Sequence, residues 1–73
     1  MKRYIKEMAN DVQREIDREI QACRIPFGKL AELGRSISRT IRYYKEGLET
    51  DRDTVREILN AWDKLKELQW ENA

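Results

Sequence analysis

The chain contains no histidine. That absence removes the commonest general base, the commonest zinc ligand and the Glu-x-x-His pattern of di-iron helical bundles together. Its one cysteine, Cys23, cannot close an intrachain disulfide, which fits a reducing compartment. There is one proline, and the three glycines stand far apart, so no glycine-rich loop is available to cradle a phosphate. No apolar run approaches the roughly 20 residues that cross a bilayer. The segment Met1–Glu7 is basic but has no apolar stretch behind it, so it does not read as a signal peptide. These absences predict a cytoplasmic protein that is not an enzyme, with no catalytic residue, metal ligand set, cofactor, small-molecule substrate or membrane span.

Apolar and charged residues each make up 40% of the 73 positions. That balance suits amphipathic helices with solvated outer faces rather than a disordered chain. A chain this short buries only roughly 60% of the surface its unfolded form exposes. Its single core supplies about 3–5 kcal/mol, so association with a partner or a second copy is a common source of further stability.

The expected fold is all-α: a single domain over residues 1–73, with helices at about 3–24, 26–46 and 51–70. Ile5, Met8, Val12, Ile16, Ile20 and Cys23 recur at steps of three and four, an apolar stripe about 120° wide. Cys23 is therefore expected to be a buried thiol. Asp11 stands three before Arg14, and Glu15 three before Arg18, spacings at which helical side chains pair. Pro26 pushes Ile25 out of the α region and ends the first helix near Arg24. It then suits the first position of the second helix, where a missing N–H costs nothing.

Phe27, Leu30, Gly34, Ile37, Ile41, Tyr44 and Leu48 form an unbroken heptad seam. Gly34 on that seam predicts close approach by a neighbouring helix, against a propensity cost of about 1 kcal/mol. Gly47 supplies a left-handed cap, with Leu48 placed to make the accompanying apolar contact. Thr50, followed by Asp51 and Asp53, marks the third helix start. Val55, Ile58, Leu59, Trp62, Leu65 and Leu68 make its apolar face. Two short turns force neighbouring helices to be antiparallel, which gives an up-down-up bundle. The alternative is a long hairpin of the last two helices, with the first helix packing on a second chain. The second helix region carries five cations against two acids, the third four against seven, so attraction between them supports their pairing.

No constellation of catalytic residues emerges. Asp11, Glu15 and Glu19 lie on one helix face but are interleaved with Arg14 and Arg18, which predicts a solvated charged surface. Asp51-x-Asp53 begins like a calcium loop, but Arg56 stands at the sixth position and Trp62 at the twelfth, which excludes an EF-hand.

The candidate partner or nucleic-acid face is on the second helix. Arg35, Arg39 and Arg42 fall within about 60° of one another opposite the seam, with Tyr43 expected to point outward beside Arg39. Arg42 can also pair with Glu46. Such a stripe suits a phosphate backbone or an acidic protein surface, and as an ordinary solvated face it has no ligand at all. Leu68 and Trp70 are the candidates for self-association, with packing of Trp70 over Leu59 as the alternative. The leading functional expectation is a small protein-interaction module, homodimeric or bound to another protein. DNA binding by the second helix is the second expectation.

Leu30-Ala31-Glu32-Leu33-Gly34-Arg35-Ser36-Ile37-Ser38-Arg39-Thr40-Ile41 resembles the helix-turn-helix of phage-repressor-type regulators. It lacks one residue before the glycine and has one extra after it, and the seam crosses Gly34 without a change of phase. That continuity predicts one helix rather than two. A second resemblance is to short helical proteins of Gram-positive prophages and conjugative elements. It rests on Ala22–Phe27, Tyr44–Leu48 and Thr54–Trp62, which span the two turns and the third helix. It implies a fold and a mobile-element origin, and no activity.

Overall fold

The computed structural model describes residues 1–73 as three helices: α1 (Arg3–Ala22), α2 (Phe27–Lys45) and α3 (Asp51–Glu71). Each helix packs on both others in an elongated bundle of 36 × 17 × 16 Å. The first helix therefore does not need a second chain to bury its apolar face. None of the helices is long and apolar enough to cross a membrane.

The core is built from Ile5, Ala9, Val12 and Ile16 of α1, Leu30, Leu33 and Ile37 of α2, and Ile58, Ala61, Leu65 and Leu68 of α3. Ile25 of the first turn closes it at one end. In each helix the buried stripe is rotated slightly from the most hydrophobic one. Leu33 and Thr40 are buried, while Gly34 and Ile41 are only half-buried. Thr54 and Ala61 are buried, while Val55 and Trp62 are half-buried and Leu59 is exposed. A helix in a three-helix bundle must face two neighbours at once, and small side chains at the facing positions let the axes approach. The bulkier residues are left on the flanks.

Gly34 does not mark a close helix approach: a methyl group added there would meet only the Gln13 side chain, at 3.9 Å. The middle helix runs straight through this position, so no helix-turn-helix is formed.

The turns are sharply made. α1 stops at Cys23, whose φ of 56° is left-handed and whose N–H reaches the carbonyls of Glu19 and Ile20 at 3.2 and 3.3 Å. The helix thus ends at Ala22, before Arg24, and Cys23 is exposed rather than buried, because a left-handed residue at a helix end turns away from the core stripe. Pro26 precedes α2 as its cap rather than standing inside it. At the second turn the N–H groups of Gly47 and Leu48 bond to the carbonyls of Tyr44 and Tyr43, at 3.1 and 2.9 Å. With Gly47 at φ 76°, this is the double-bonded Schellman cap. Leu48 and Phe27 both stay exposed, at 68% and 66%, so the ends of the seam lie outside the core. Thr50 Oγ1 accepts from the Asp53 N–H at 3.1 Å and starts α3.

Candidate functional site

Three features stand outside ordinary core packing. The first is a buried polar cluster where α1 and α3 meet near their C-terminal ends. Glu19 is only 4% exposed, contrary to the solvated face expected from its neighbours. It follows Ile5, Ala9, Val12 and Ile16 at steps of four and three, which places it on the core stripe itself. Arg24 Nη2 donates to both its carboxylate oxygens at 3.0 Å, and Gln69 Nε2 donates to Glu19 at 2.7 Å and to Glu15 at 3.2 Å. The carboxylates are therefore occupied by Arg18, Arg24 and Gln69, and no three His, Cys, Asp or Glu side chains converge as a metal would need.

A smaller polar cluster ties the other end together. Asp51 accepts from Tyr44 Oη at 2.6 Å and pairs with Lys2 Nζ at 2.7 Å. The hydrogen bonds from Lys2 and Tyr44 hold the Asp51 carboxyl below its ordinary pKa, and the same Asp51 contacts raise those of Lys2 and Tyr44. Beside it, buried Thr40 donates to Glu57 at 2.8 Å and Thr54 to the Thr50 carbonyl at 2.8 Å. Partial burial and the nearby Glu57 raise the Glu49 carboxyl.

The second feature is an apolar flank along the α1–α3 groove. Met8, Val12, Ile58, Leu59 and Trp62, with Asp11, line a depression of about 230 Å³. Leu59 in it is 47% exposed, and Tyr4 (51%) and Trp70 (84%) are exposed aromatic residues of the same two helices. Trp70 therefore does not pack within the bundle. Leu68 does: it is 9% exposed and belongs to the core. Its expected part in self-association is corrected, because steps of three and four from Ile58, Ala61 and Leu65 carry it inward. The residues missed in sequence for this flank are Met8, Leu59 and Trp62, because α1 and α3 adjoin only in the folded bundle.

The third feature is the outer face of α2. Arg35, Arg39 and Arg42 are exposed, and none lies within salt-bridge distance of a carboxylate, although Arg3, Arg14, Arg18, Arg24 and Arg56 all do. The Arg42–Glu46 pair is not made; the Arg42 guanidinium sits 5.5 Å from the Tyr43 ring centre instead. Tyr43 is half-buried and so does not project freely. No ion pair joins α2 to α3. Their direct polar contacts are the hydrogen bonds from Thr40 to Glu57 and from Tyr44 to Asp51.

The chain matches no family model, no curated protein and no solved structure. Of the three features, the buried Glu19 cluster is closed to ligands, and the two exposed faces are not.

Proposed function

We propose that the protein is a non-enzymatic interaction module that pairs with a second copy of itself through the α1–α3 flank. The observation that carries this reading is the apolar groove in which half-buried Met8 and Trp62 and exposed Leu59 lie over the core residues Val12 and Ile58, outside a core that is already closed. The arrangement of charge along its rims supports a second copy as the occupant. α1 and α3 run parallel, tied by Lys2–Asp51 at one end and Gln69–Glu15 at the other. In that register Glu7 lies level with Arg56, Arg14 with Asp63 and Arg18 with Glu67, within about one helical turn. A two-fold axis along the helices lays α1 of one protomer beside α3 of the other and repeats each of these opposite-charge pairs twice. A face of 36 by 17 Å offers about 600 Å² per protomer, near the lower edge of stable interfaces.

Sedimentation equilibrium tests the reading. The expected result is a dimer with a micromolar dissociation constant, raised about 30-fold or more by Leu59→Glu, which puts a charge at the centre of the interface. Glu7→Arg and Arg56→Glu each weaken the dimer, and combining them restores it. A chain that stays monomeric at millimolar concentration overturns the reading. A cytoplasmic location and a mobile-element origin belong to the same proposal. The single exposed thiol of Cys23 supports the first, and the stretches at the turns and α3 that carry the resemblance support the second.

A further inference from the structure

We infer that the outer face of α2 binds the phosphodiester backbone of a nucleic acid, with Arg35, Arg39 and Arg42 as its phosphate contacts. This face lies away from the α1–α3 flank, so the inference stands independently of the dimer. The contrast in pairing is its first support. Arginines elsewhere, apart from Arg52, each pair with a carboxylate three to five residues away, whereas the three on this face make no ion pair. Their spacing of four and three residues sets them on one line, spanning about 10 Å of helix axis.

The second support is shape. The three arginines edge a shallow trough of about 550 Å³ between α2 and α1, with Gly34, Ser38 and Gln13 in its floor. Gly34 presents bare backbone there, so a chain of phosphates can approach closely. Gln13 Nε2 donates to the Gly34 carbonyl at 3.4 Å and to Ser38 Oγ at 3.5 Å, which leaves the Ser38 hydroxyl hydrogen as an uncharged donor beside the guanidinium groups. Packing of Arg42 against Tyr43 limits the motion of one guanidinium before any ligand arrives. A protein partner needs a desolvated apolar anchor at the centre of its interface, and this trough contains none. A phosphate backbone needs only cations and donors, which it does contain. Glu32 and Glu46 lie on the same outer face and confine the cationic stretch to three contacts.

Fluorescence anisotropy with labelled duplex DNA and labelled single-stranded RNA tests the inference, with a poly-glutamate peptide of equal charge as the competing anion. Three phosphate contacts predict a log–log salt slope near about −2.7 on duplex DNA, or about 40-fold weaker binding at 200 than at 50 mM salt. Substituting Arg35, Arg39 and Arg42 with Ala removes binding, whereas Arg52→Ala, an unpaired arginine on α3, leaves it unchanged. Glu32→Gln with Glu46→Gln tightens it several-fold, which guards against a loss caused by misfolding. Binding to either nucleic acid with this dependence supports the inference, and the two arms distinguish DNA from RNA. Absence of binding at low salt, indifference to the three arginines, or equal affinity for poly-glutamate overturns it.

Discussion

The two turns of this bundle do the same job by different means. Both end a helix with a left-handed residue, Cys23 at the first and Gly47 at the second. At the second turn the local chain suffices: glycine takes the strained conformation, Thr50 caps the next helix and Asp53 supplies the N–H that it accepts from. At the first turn the local chain is poorly suited. Cys23 has a Cβ where glycine is preferred, and Pro26 offers no side-chain cap. What holds that turn is tertiary: Ile25 is 5% exposed in the core, and Arg24 is tied to the buried Glu19. The comparison teaches that a weak local signal can be offset by one buried side chain and one buried ion pair.

The largest test of this contrast is Ile25→Ala, expected to cost about 3 kcal/mol in chemical denaturation, as deletion of a buried isoleucine does. A loss below about 1 kcal/mol, the range of surface changes, would remove Ile25 as the anchor of the turn. Glu19→Ala follows, at about 2 kcal/mol, because Gln69 and Arg24 lose a charged acceptor; Gln69→Leu made together with it should recover part of the loss. Thr50→Ala should cost about 1 kcal/mol, the ordinary worth of an N-cap, since nothing tertiary replaces it.

Cys23→Gly is expected to stabilise the protein by somewhat less than about 1 kcal/mol, by relieving the left-handed strain despite the added flexibility of the unfolded chain. A lower melting temperature would show instead that the thiol's contact with the Ile20 carbonyl, at 3.6 Å, matters more than the strain.

The smallest effect is electrostatic and belongs to the second turn. The Asp51 carboxyl is held below its ordinary pKa, so its contribution is present above the unfolded value and is lost as pH falls through the folded one. Lys2 is raised, so its contribution is full below its unfolded value and is lost as pH rises through the folded one. Stability should therefore sag at both acid and alkaline extremes, and Asp51→Asn should flatten both limbs in melting-temperature profiles.

Much of the fold was legible in the sequence because helix periodicity and punctuation are local. The number of helices, the turns at Ile25–Pro26 and Gly47, the Thr50 cap and the Asp11–Arg14 and Glu15–Arg18 pairs all follow from spacings of a few residues. The cationic stripe was legible for the same reason, since Arg35, Arg39 and Arg42 share one helix face. The apolar flank was not, because Met8 and Leu59 belong to different helices. Leu68 and Trp70 looked alike as apolar residues near the end of the chain, yet one lies in the core and the other in solvent.

The sequence by itself determined an all-α chain of three amphipathic helices and the places where they break. Only the tertiary structure decided which of two adjacent stripes on each helix faces inward. It buried Glu19, Thr40, Thr54 and Ala61 and left Leu59, Trp70 and Cys23 outside. The reason is geometric: the apolar arc of each helix is wider than a three-helix core can cover. The arc chosen is the one that brings two neighbouring helices together at once while giving every buried polar side-chain atom a partner.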